Sequence, residues 1–239
     1  VGYSIIRQMS PRSKIPQGRN TRDMYLAKAG ATLAQQGMGR RREEPPWNVL
    51  TGIAKLHTKA REVAPYTIAP EGLLPIMEQF QCEPDTFWVL QGWDVEFYCQ
   101  AAYHAMLVAA EQYDAIDFAD MIYLPLRNNW AAPQYDLVVV DEAQDMTLSQ
   151  LELARKVLRP EGRMCVVGDR HQAIYGFRGA DSNSLNRLKK ELKAKELGLT
   201  TTYRCGRTIV AHARELVPDF EAGEHNSEGT ITYIEADTL

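Results

Sequence analysis

From Tyr135 onward, short apolar runs alternate with amphipathic stretches. "YDLVVVD" (135–141) precedes "TLSQLELARKVL" (147–158), "GRMCVVGD" (162–169) precedes "DSNSLNRLKKELKAK" (181–195), and "LGLTTTYR" (197–204) precedes "GRTIVAHARELV" (206–217). Apolar runs of this length predict strands buried on both faces. Their alternation with helical patterns predicts βα units and a parallel sheet. "EGTITYIEA" (228–236) predicts a further strand.

The chain before about Ala115 has a different texture. "TRDMYLAKAGATLAQQ" spaces Met24, Ala27, Ala31 and Leu33 near a helical period, with Thr21 placed as an N-cap. "PPWNVLTGIAKLHTKAREVA" repeats the pattern with Val49, Ile53 and Leu56, behind prolines suited to a first turn. "EFYCQAAYHAMLVAAEQY" is the strongest helix signal, rich in Ala, Leu and Met. "APYTIAPEG" reads as a loop.

Charge is divided unevenly. Residues 1–62 hold 12 Lys+Arg against 4 Asp+Glu, and the remainder holds 15 against 27, within a net charge of −4. The basic front suits phosphates or forms a solvated segment, of which "GRRREE" (39–44) is typical. No apolar run approaches the roughly 18 residues of a membrane span, and the first residues lack a secretory apolar core. Cys82, Cys99, Cys165 and Cys205 form no C-x-x-C pair, so reduced thiols and a cytoplasmic location are expected. Cys165, inside a strand, is expected to be buried.

In parallel α/β sheets, ligands gather beyond the carboxyl ends of the strands. The first strand ends in Asp141 and Glu142, the second in Asp169 followed by Gln172, two aromatics and Arg178, and the third in Tyr203 and Arg204. Carboxylates at a strand end can hold a hard cation such as Mg²⁺, or they can cap the next helix. Three adjacent strands would bring acids, an amide, aromatics and guanidiniums to one edge, a set that suits Mg²⁺, phosphate, water and flat bases.

"VVVDEAQD" (138–145) resembles motif II of superfamily 1 helicases of the UvrD/Rep type. "VVGDRHQAIYGFRGAD" (166–181) resembles their motif III, and "LTTTYRCG" (199–206) their motif IV. "IDFADMIYLPL" (116–126) is similar to the short acidic helix that precedes motif II. The specific likeness covers Ile116 to Ala213. "VGYSIIRQ" (1–8) is placed as the helix after motif Ib.

The resemblance implies a partial RecA-like P-loop NTPase core of α/β class with a parallel sheet, preceded by a helical insertion subdomain. Residues 1–115 would form the insertion, 116–225 the core segment, and 226–239 the start of a following unit. Asp141 would bind the Mg²⁺ of Mg-ATP, with Glu142 beside it as the general base that polarises the attacking water. Gln172 would sense the γ-phosphate, Gln144 would couple nucleotide to the rest of the site, Tyr203 would stack on adenine, and Arg204 would reach the γ-phosphate. Tyr175, Phe177 and Arg178 would contact single-stranded DNA, alone or in a partial duplex.

Each group also has a plainer role open to it. Tyr175 and Tyr203 suit a core, and Arg178 and Arg204 suit surface ion pairs. Asp169 suits a cap, Asp145 a cap or an arginine partner, His171 a solvated site, and Cys205 a packed one.

The family's phosphate-cradling G-x-x-x-x-G-K-[ST] loop is absent from these residues, as are its later motifs. The expectation is an internal piece of a longer helicase that hydrolyses no ATP by itself and joins the missing lobes of its parent. Self-association over an open sheet edge is a further expectation. A nucleic-acid-binding module that keeps the fold without catalysis stands as the alternative. A helicase joined to a nuclease ranks last, since no nuclease-like site is visible.

Overall fold

The computed structural model describes residues 1–15, 21–39, 43–172 and 184–233. The helices are α1 (Gly2–Met9), α2 (Thr21–Gly37), α3 (Trp47–Val63), α4 (Leu74–Phe80), α5 (Thr86–Leu90), α6 (Val95–Glu111), α7 (Asp120–Arg127), α8 (Leu148–Lys156), α9 (Ser184–Glu191) and α10 (Arg207–Ala213). The strands are β1 (Tyr135–Val140), β2 (Leu158–Val166), β3 (Thr201–Thr202) and β4 (Glu221–Ala222). The chain forms two compact units, Val1–Leu188 and Lys189–Leu239.

The main core of the first unit is helical. Leu26, Ala27, Ala31 and Ala34 of α2 face Val49, Ile53 and Leu56 of α3 and the alanine-rich face of α6. Small residues let α2 and α6 approach closely: a Cβ on Gly30 would lie 2.1 Å from the Ala101 carbonyl oxygen. The expected stripe on α2 is shifted, because Leu33 is exposed while Leu26 and Ala34 are buried. The "APYTIAPEG" loop leads into a 3₁₀ turn at Pro70–Leu73 and then α4. Asp85 and Asp94 cap α5 and α6, each accepting a backbone N–H through its side chain.

Arg61 is fully buried and joins α2 and α3 to the turn before α7. Its guanidinium donates to Asp23 Oδ1 at 2.8 Å, Asp117 Oδ2 at 2.8 Å and Asp120 Oδ1 at 2.6 Å. Arg22 reaches the other Asp120 oxygen and the Gln112 carbonyl. Buried charges survive when paired and hydrogen-bonded, and the planar arginine fork can serve three carboxylates together.

β1 and β2 pair in parallel, with Leu137 to Val140 beside Arg163 to Val166. Between them α8 begins at a capping box formed by Thr147 and Gln150. Asp145, expected as cap or arginine partner, does not cap α8, and its Oδ1 is buried without a hydrogen-bond partner among the described residues.

Four expectations are corrected. β1 is covered on one face only: Val140 is 4% exposed and Val139 62%. The face carrying Val138 packs on Ile5, Leu126, Leu153 and Val157, whereas Leu137 and Val139 point away. Cys165 on β2 pairs with Val139 on that same open face and is exposed with it; this sheet has two strands among the described residues. β3 does not extend it; in the second unit β3 pairs in parallel with β4. Residues 228–233 of the expected last strand are irregular, and 234–236 lie outside the described residues.

In the second unit, α10 connects β3 to β4 as a small βαβ element. Asn226 donates its amide to the carbonyls of Thr202 and Cys205, tying the turn after β3 to the following loop. Among the described residues, no helix is long and apolar enough to cross a membrane.

Candidate active site

Beyond the carboxyl ends of β1 and β2 the chain turns sharply twice. Val167 N–H donates to the Val140 carbonyl at 2.8 Å, and Ala143 N–H donates to the Val167 carbonyl at 3.0 Å. These bonds extend the strand pairing past its last ladder residue and hold 141–144 against 167–169. Glu142 takes a left-handed backbone, φ 50° and ψ 44°, and opens a 3₁₀ turn over Ala143–Asp145. Such a conformation is uncommon for a residue with a side chain and costs about 1–3 kcal/mol.

The polar side chains form a continuous chain. Glu142 N–H donates to Asp141 Oδ1 at 3.0 Å. Gln144 is 3% exposed; its Nε2 donates to Glu142 Oε2 at 2.7 Å, and its Oε1 accepts from Asp169 N–H at 3.0 Å. Asp169 Oδ2 accepts from Gln172 Nε2 at 2.8 Å, and Oδ1 accepts from His171 N–H at 2.9 Å. Asp141, Glu142 and Gln172 are exposed. A buried amide therefore connects a solvent-facing carboxylate on the β1 turn to a solvent-facing amide on the β2 turn.

The sequence-based assignments thus meet at Asp141, Glu142, Gln144 and Gln172. Asp169, foreseen only as a cap, is the link between the last two. No local pattern marks that link, because it needs the register of two strands. Tyr175, Phe177 and Arg178 lie outside the described residues. Tyr203 and Arg204 lie in the second unit: Tyr203 is 82% exposed and lies against Gly223, where a Cβ would fall 2.6 Å from its ring. Arg204 is exposed, with its N–H on Thr202 Oγ1.

Among the described residues, no group of three or more His, Cys, Asp or Glu could hold a metal. The donors present suit a cation that shares its shell with a ligand. Mg²⁺ commonly takes one or two carboxylates, waters and substrate phosphates rather than an all-protein cage. The adjacent exposed carboxylates of Asp141 and Glu142 fit that requirement.

Residues 90–193 match the family model for the UvrD/REP helicase N-terminal domain. That segment is UvrD/Rep-like. It contains Asp141, Glu142, Gln144, Asp169 and Gln172, while Tyr203 and Arg204 fall after it. A probable DNA helicase II homolog of Mycoplasma pneumoniae is 29% identical over 136 residues, 52% of this chain and 19% of that protein. The ATP-dependent DNA helicase PcrA of Staphylococcus epidermidis is 31% identical over 124 residues, 48% of this chain and 16% of that protein. PcrA of Staphylococcus aureus is 29% identical over 133 residues, 48% and 18% respectively. The UvrD/Rep-like match thus spans less than a fifth of each of these relatives.

Proposed function

We propose that this chain supplies part of the nucleotide site, and part of the DNA-contacting surface, of an ATP-dependent DNA helicase or translocase of 3′→5′ polarity. Residues 1–115 would serve as a helical insertion, 116–225 as part of a RecA-like core, and 226–239 as the start of the next unit. The observation that carries the reading is the hydrogen-bonded chain from Glu142 through Gln144 and Asp169 to Gln172, at the carboxyl ends of parallel strands. It brings a general-base candidate and a phosphate-sensing candidate into one bonded group. The UvrD/Rep-like match over 90–193 supports the same assignment.

In this proposal Asp141, with Glu142 beside it, would hold the magnesium of Mg-ATP, which would neutralise charge on the phosphates. Glu142 accepts a proton from the attacking water. Gln144 keeps that carboxylate oriented by donating to it. Gln172 donates to the γ-phosphate and loses that partner after hydrolysis. Tyr203 stacks on adenine, and Arg204 gives a charge-assisted hydrogen bond to the γ-phosphate. Tyr175, Phe177 and Arg178 follow Gln172 closely enough in sequence for its movement to shift a base-stacking surface.

The test uses the protein made from the whole reading frame that contains these residues. Single-stranded DNA should stimulate its ATP hydrolysis, and Phe177→Ala should raise the DNA concentration for half-stimulation about tenfold, as expected for losing one stacking contact. DNA binding with no ATP turnover under any condition would favour the non-catalytic binding module instead.

A further inference from the structure

We infer that Asp169 is a positioning residue that sets the orientation of both amides flanking the proposed reaction centre. The inference rests on the hydrolytic reading of Glu142 and Gln172. An amide side chain has distinct ends, an acceptor oxygen and a donor nitrogen, and its partners decide which way it faces. Asp169 N–H can only donate, so it fixes Gln144 Oε1 toward itself and leaves Gln144 Nε2 to donate to Glu142. The Asp169 carboxylate has only acceptors, so it requires the nitrogen end of Gln172. One residue thereby holds Gln144 with its backbone and Gln172 with its side chain.

The two amides differ in how much they need this help. Gln144 is buried and confined by its surroundings. Gln172 is exposed, and a free glutamine on a surface samples several rotamers. Asp169 Oδ2 removes that freedom. The Gln172 backbone N–H also donates to the Asp169 carbonyl at 3.1 Å, so the turn and the side chain are set together. A glutamine amide carries two donor hydrogens: one goes to Asp169, and the other can serve a phosphate oxygen. Asp169 touches no reacting atom and acts through Gln172.

The test is a double-mutant cycle on ATP hydrolysis by the protein from the whole reading frame, with saturating single-stranded DNA. Asp169→Ala should lower kcat about tenfold, and should raise KM for ATP no more than Gln172→Ala does, because Asp169 acts on ATP only through Gln172. Asp169→Ala combined with Gln172→Ala should be no slower than Gln172→Ala alone. Asp169→Asn keeps the shape and one side-chain acceptor, and should fall between wild type and Asp169→Ala; it also serves if the alanine variant folds poorly. Additive losses in the cycle would overturn the positioning role while the hydrolytic reading stands, and a Gln172→Ala protein as fast as wild type would overturn the positioning role together with the assignment of Gln172. A wild-type protein that hydrolyses no ATP would overturn that reading, and the inference with it.

Discussion

Gly168 shows how closely the two turns are fitted. It precedes Asp169, and a Cβ there would lie 2.7 Å from Gln144 Oε1 and 3.3 Å from Ala143 N. The tip of a glutamine can ordinarily move aside, but this one is bonded at both ends, to Asp169 N–H and to Glu142. Gly168→Ala should therefore displace the Gln144 amide. Its cost in folding stability should stay below about 2 kcal/mol, since the tip of Gln144 and Leu185 Cδ2, 3.1 Å from that Cβ, give way and the backbone remains. Side-chain amide NMR should show Gln144 shifted, with the urea midpoint only slightly lowered. An unmoved Gln144 resonance would contradict the packing described. The left-handed backbone of Glu142 belongs to the same fit, with local strain held by neighbouring bonds at a solvent-facing carboxylate.

At the scale of elements, the junction of α2, α3 and α7 is governed by buried charge. Burial and repulsion from Asp117 push the Asp23 carboxyl up to about 6, against the pull of Arg61. Burial also opposes ionisation of Asp117, but attraction and hydrogen bonds from Arg61 outweigh it and bring that group down to about 2. His57 is fully buried on α3; its Nε2 lies 3.0 Å from the Asp23 carbonyl, while Arg61, Arg22 and Asp117 act on it electrostatically. Burial first, and Arg61 second, bring its pKa down to about 3.

These shifts have opposite signs in their effect on folding. The unfolded chain protonates His57 below about 6.5 and the folded one does not, so stability drains as pH falls from there toward about 3. The folded state keeps the Asp23 proton up to about 6, so its contribution is complete below about 4 and is lost as pH rises between those values. Between about pH 4 and 6 the two oppose each other. His57→Gln should make stability increase as pH falls through that window, relative to wild type, and Asp23→Asn should make it decrease more steeply. Urea midpoints at several pH values across the window check both, and parallel curves for all three proteins would contradict the assignment.

At the scale of the whole molecule, the chain is a mixed helix and strand protein in which a helical core adjoins a short parallel strand pair. The strand–turn segments "VVVDEAQD" and "GRMCVVGD" were readable in sequence because an apolar run and its acidic end are local features. The open face of β1 was not, since burial of Leu137 and Val139 depends on neighbours that residue type does not specify. Arg61 carried no signal of its own in the sequence, where it is one of the 12 Lys+Arg of residues 1–62, and its carboxylate partners lie 38, 56 and 59 residues away. Asp169 looked like a simple cap because its link to Gln144 depends on strand register. The most direct measurement is steady-state ATP hydrolysis, with single-stranded DNA present, by the protein from the whole reading frame and by its Glu142→Gln variant. The account predicts that the variant still binds ATP while turnover falls at least about a hundredfold, as expected for removing a general base. A variant that hydrolyses ATP at the wild-type rate would contradict it.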